Sequence, residues 1–136
     1  MDRNLQILGL AKKAGLLAIG SEDTYSAARA GKVGVVISAQ DASGSAFRRA
    51  KAGAEASGVL HVVVPYTSFE LGNISGRGSP GTLAVLDTGL AARFLSGLAA
   101  TDPDRFSDPA ELLAKKARAP AEGKRRTQSG KRRAVQ

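Results

Sequence analysis

Residues 20–41 read GSEDTYSAARAGKVGVVISAQD, and this stretch decides the fold because it joins a helix directly to a strongly apolar strand. Ser21 supplies a side-chain oxygen, and Glu22 and Asp23 follow it. A cap and two negative charges therefore fall where first-turn N–H groups lack partners, which predicts a helix capped at Ser21. Ala27, Ala28 and Ala30 sustain that helix and Gly31 stops it. Lys32 then leads into Val33-Gly34-Val35-Val36-Ile37, a β-branched run without polar alternation. Such a run predicts a strand covered on both faces, as in a parallel or mixed sheet flanked by helices.

Toward the N-terminus, residues 3–14 (RNLQILGLAKKA) place Leu5, Ile7, Leu8, Ala11 and Ala14 on one helical face, leaving Arg3, Gln6, Lys12 and Lys13 to solvent. Lys12 and Lys13 fit either complementation of the helix dipole or contact with phosphate. Gly15 ends the helix, and Leu16 to Ile19 form a short strand. Toward the C-terminus, the turn at Asp41–Ser45 precedes a helix over 46–57 that carries a basic side from Arg48, Arg49 and Lys51. Val59–Val64 is a further strand, closed by Pro65. Thr67-Ser68-Phe69-Glu70 has capping-box form and opens a short helix through Leu71. Residues 73–81 (NISGRGSPG) read as a Gly-rich loop, Thr82–Leu86 as a last strand and Gly89–Leu98 as a last helix.

Helix and strand thus alternate across about a hundred residues, which predicts a three-layer α/β/α sandwich with a mixed sheet of about four short strands. At 136 residues and 43% hydrophobic composition the chain holds one ordinary core. The composition changes at Thr101, where Asp102, Pro103, Pro109 and Pro120 punctuate the sequence. The packed fold is therefore expected over 1–100. Residues 101–136 are expected to form a basic, largely disordered tail with a short helix at 109–119.

Charge points to a polyanion. Twenty Lys and Arg stand against 12 Asp and Glu, a net charge of +8. Lys124, Arg125, Arg126, Lys131, Arg132 and Arg133 come from a doubled Gly-Lys-Arg-Arg motif, and they fit an electrostatic arm that grips nucleic acid. There is no cysteine, which excludes thiol catalysis and thiolate metal sites. The lone histidine, His61, falls inside an apolar strand and reads as a packed ring, so a hydrolytic triad has no base. Neither GxxxxGK[ST] nor a strand-linked GxGxxG is present, and no acids show metal-ligand spacing. The expectations are accordingly no catalysis, no cofactor and no metal. No apolar run is long enough for a membrane span, so a cytoplasmic protein that does not engage membranes is expected.

Gly20–Asp41, Glu70-Leu71-Gly72, Gly76, Pro80 and the ending Ala84-Val85-Leu86-Asp87-Thr88-Gly89-Leu90-Ala91 together resemble the kink-turn RNA-binding ribosomal proteins, the seven-Ae and thirty-e superfamily, in its bacterial YlxQ-type branch. The resemblance covers residues 3 to about 98 and includes the opening LGLAKKAGLLAIG. It implies an α/β/α sandwich that lays the start of its second helix against a kinked duplex while a neighbouring loop closes over extruded nucleotides. By resemblance, the helix start is Gly20, Ser21, Glu22, Asp23, Thr24, Tyr25 and Ser26, where the family reads Gly-Thr-Asn-Glu-Val-Thr-Lys. After Gly76, the loop is Arg77, Gly78, Ser79 and Pro80, where the family carries Leu-Glu-Val-Pro. Glu22 replaces an amide that both donates and accepts, and Ser26 replaces a phosphate-facing lysine. The sequence therefore implies weak or altered kink-turn recognition.

Two functions follow. The first is an RNA-binding, ribosome-associated accessory protein, monomeric, whose partners are structured ribosomal RNA and the ribosome or transcription–translation factors. The second is a protein-interaction module on a degenerate RNA-binding fold, with the acidic helix start as its contact.

Overall fold

The computed structural model describes residues 2–129, with side chains through Arg118. Its elements, in chain order, are α1 (Arg3–Lys13), β1 (Leu17–Ile19), α2 (Ser21–Arg29), β2 (Val35–Ser38), α3 (Gly44–Ser57), β3 (Leu60–Val63), α4 (Ser68–Ser75), β4 (Thr82–Val85), α5 (Thr88–Thr101) and α6 (Pro103–Ser129). The four strands form one mixed sheet in the order β1-β4-β2-β3. β2 runs parallel to β3, in the register Val35 to Leu60, and antiparallel to β4, which pairs in turn with β1. All four residues of β2 are buried, as the apolar run predicts for a central strand.

Because successive side chains in a strand face opposite ways, the register sorts the sheet into two unequal faces. Val35, Ile37, Val62, Leu83 and Val85 join the main core with Leu5 and Leu8 of α1, Leu71 of α4 and Phe94, Leu95 and Leu98 of α5. The opposite face carries smaller side chains, Ala18, Val36, Ser38, Thr82 and Ala84, and Val36 packs with Ala50 and Ala54 of α3. α2 lies beside α3 on this thinner side, against β1 and β4. The arrangement is the α/β/α sandwich that the order of elements predicts.

Four local expectations are corrected. Ser21 is the first residue of α2 rather than its cap; Gly20 occupies the cap position at φ 93 and ψ 164, and no side chain caps the helix. That backbone conformation is open to glycine and strained for other residues. α3 starts earlier than 46, at Gly44, because the Ser43 side chain accepts from the Ala46 N–H at 3.1 Å. The Thr67–Glu70 capping box forms as read, but its helix continues to Ser75, so Asn73, Ile74 and Ser75 are helical rather than loop. The packed fold does not stop near Ala100. α6 folds back on α5 and seats Phe106 and Leu113 in the main core, both almost fully buried. Pro103 opens α6, where a missing N–H does no harm, so the proline that read as a break is a helix start. The helix reaches Ser129, well past the short segment expected at 109–119, and residues 130–136 lie outside the described part of the chain.

β1 and β3 are the sheet edges. At β3 the outward carbonyl of Val63 accepts a hydrogen bond from the Arg105 guanidinium of α6 at 3.0 Å. Among the described residues, no helix is long and apolar enough to cross a membrane, and no group of three or more His, Asp or Glu could hold a metal ion.

Candidate nucleic-acid interface

The start of α2 stands at one end of the sheet because Gly20 is anchored to β4, its N–H donating to the Thr82 carbonyl at 2.9 Å. The first intrahelical bond runs from the Thr24 N–H to the Gly20 carbonyl at 3.0 Å. The N–H groups of the uncapped first turn therefore point out of the helix end, an arrangement suited to an anion. Glu22 and Asp23 are exposed on that same turn and oppose one.

The loop between α4 and β4 reaches this end. Arg77 lies 3.8 Å from the Asp23 carboxylate, with both side chains about three-fifths exposed. Such a solvated pair is worth about 0–1 kcal/mol, so a phosphate can take the guanidinium from Asp23 at little cost. The loop is held by a close backbone approach: a Cβ on Gly72 of α4 would collide with the Gly78 carbonyl, so only glycine lets the loop fold back on the helix. Gly76 caps α4 in the left-handed conformation, and the Lys12 ammonium sits over it, 2.9 Å from where a Cβ would be. Lys12 and Lys13 also line a cavity of about 400 Å³ between α1 and α4, beside the half-exposed Leu10.

The structure thus brings Gly20, Ser21, Glu22, Asp23, Lys12, Gly76, Arg77 and Gly78 to one end of the molecule, with Lys13 adjoining. Ser26, one turn further along α2, and Ser79, in the loop, are exposed. Lys124, Arg125 and Arg126 fall on the α6 backbone, in a part whose side chains are not described, and Lys131, Arg132 and Arg133 lie outside the described residues.

His61 is occupied with packing. Its Nε2 is 2.8 Å from Ser38 Oγ, and its ring centroid is 5.3 Å from that of Phe47. Burial, with the Lys51 charge second, holds its pKa below the usual 6.5 against a smaller opposing effect from Glu55. Sequence reading missed a group of side chains on the α2–α3 layer, where Arg29 and Arg49 both approach the Tyr25 ring. The two arginines belong to different helices, and no short motif links them.

No family model and no curated protein matches this chain. Solved structures do. A protein of unknown function from Bacillus halodurans is 25% identical, with a TM-score of 0.65 over 71% of this chain and 97% of that one. A 15.5 kD RNA-binding protein of Giardia lamblia is 16% identical, with a TM-score of 0.57 over 71% of this chain and 84% of that one. The chain is therefore built on a fold that an RNA-binding protein also uses.

Proposed function

We propose that this protein binds structured RNA through the first turn of α2, the α4–β4 loop and the lysines at the end of α1, as a ribosome-associated accessory factor. The observation that carries the reading is the convergence at α2: Arg77 reaches Asp23 at 3.8 Å while Lys12 covers Gly76. The fold shared with an RNA-binding protein and the net charge of +8 support it. The basic residues after Ala119 add phosphate contacts in this reading. Recognition of a standard kink-turn is altered, because Glu22 offers only acceptors to a base edge and Ser26 offers no cation. The exposed acids of the first turn favour the second reading, docking of a protein partner at the same helix end.

Affinity for a kinked RNA and for an unkinked duplex control, at one salt concentration, separates the two. The parent is expected to bind both with little preference. Glu22→Asn restores an amide able to donate and accept, and Ser26→Lys adds a cation. Together they are expected to gain about 2–4 kcal/mol on the kinked RNA, taking about 1–3 for a good base contact and the rest from the phosphate. Tight, kink-selective binding by the parent would contradict the altered-recognition reading. Absence of RNA binding by parent and double variant alike would leave the protein-docking reading in its place.

A further inference from the structure

We propose that Arg29, Tyr25 and Arg49 form a second RNA contact, a clamp for the phosphate backbone on the α2–α3 layer, away from the helix end described above. The inference rests on the RNA-binding reading and extends it.

The clamp is built by the packing of two helices. Gly53 of α3 has no side chain, and the Tyr25 ring of α2 lies against it; a Cβ there would stand 2.9 Å from Tyr25 Cδ1. The half-buried ring then gathers two cations. The Arg29 guanidinium lies 5.7 Å from the ring centroid and its Nη1 donates to the Tyr25 hydroxyl at 3.3 Å, while Arg49 approaches from α3 at 5.6 Å. Both arginines are exposed, and neither takes part in an ion pair among the described residues. Glu55, the one acid of α3, forms no ion pair with either arginine. Beside Arg29, a recess of about 450 Å³ opens between Tyr25, Ala28, Gly31, Ala56 and Ser57.

A guanidinium is a planar fork that meets phosphate oxygens through paired hydrogen bonds, and a cation–π contact with an aromatic ring, helped for Arg29 by the bond to the Tyr25 hydroxyl, orients it before the ligand arrives. Two such forks on one tyrosine, unneutralised and solvent-facing, suit a polyanionic strand better than a single buried anion. Lys32, exposed just beyond α2, adds to the positive surface. The same helix thus presents base-reading geometry at its start and backbone-gripping charge near its end.

The test uses the full chain and two probes, an RNA hairpin with an internal bulge and the same hairpin without it. Affinity is measured across a salt series. Arg29→Gln with Arg49→Gln is expected to weaken both probes equally and to reduce the slope of log affinity against log salt by about 1.4–1.8, at about 0.7–0.9 per phosphate contact. Arg3→Gln with Arg93→Gln removes the same charge from the other layer and is expected to leave the slope within error. Arg29→Lys with Arg49→Lys keeps both charges whatever the glutamines do to folding, and is expected to hold the slope but lose affinity. Equal losses from the two glutamine pairs, full affinity in the lysine pair, or displacement of RNA by polyglutamate at matched charge would each overturn the clamp. If the parent binds neither hairpin, the RNA-binding reading itself fails and takes the clamp with it. Parent binding with an unchanged slope in the Arg29→Gln, Arg49→Gln chain removes the clamp alone.

Discussion

His61 is the one histidine of the chain, and its pKa in the folded state lies below the usual 6.5. Folding favours its neutral form, since burial and, second, the Lys51 cation disfavour the imidazolium. The unfolded chain takes up a proton as pH falls below 6.5, whereas the folded chain does not until its lower pKa is reached. The stability attached to His61 is therefore fully present above pH 6.5 and declines as pH drops from there toward the folded-state pKa. Melting temperature is expected to fall across this mildly acidic window, and His61→Gln, which can still bond Ser38, is expected to flatten the decline. A parent and variant with parallel pH profiles would remove His61 as the cause. The same residue shows what a single position reveals in advance: a lone histidine in an apolar strand reads correctly as packed, but its partners Ser38 and Phe47 belong to other elements.

The strands were the most legible elements. Val35-Val36-Ile37 follows Gly34 and Leu60–Val63 lies between Gly58 and Pro65; both are dominated by β-branched or apolar residues, and local chemistry alone places them. Helix ends were harder. At α2 the serine that looks like a cap sits inside the helix, because the Gly20 backbone is pulled onto β4 and no side chain is in place to cap. α6 was misread for a related reason: Pro103 and Pro109 look like breaks, while the apolar residues that dock the helix, Phe106 and Leu113, gain meaning only once α5 offers a surface for them. Phe106→Ala and Leu113→Ala are each expected to cost about 2–5 kcal/mol, the range for truncating large buried side chains. A shift of the urea midpoint at constant slope would register this. An unshifted midpoint in both variants would restore the boundary near Ala100.

At the scale of the whole molecule, the candidate interface was only partly readable. The α2 start and the Gly-rich loop were identifiable as separate segments, but the contacts that join them depend on side chains and close approaches from three helices and a loop. Arg77 with Asp23, Lys12 over Gly76 and Gly72 beneath Gly78 have no sequence-local signature. The Tyr25 cluster was invisible for the same reason. The hydrogen bond from Arg105 to the Val63 carbonyl has a different kind of consequence, one for the protein in concentrated solution. An open strand edge invites a second copy to add its own strand, and a cation placed on it makes that addition unfavourable. Arg105→Ala removes an exposed side chain that also lies over the Phe106 ring, and it uncovers the carbonyl. The variant is therefore expected to scatter light increasingly with concentration while the parent remains constant, and two flat traces would relieve Arg105 of this guarding role.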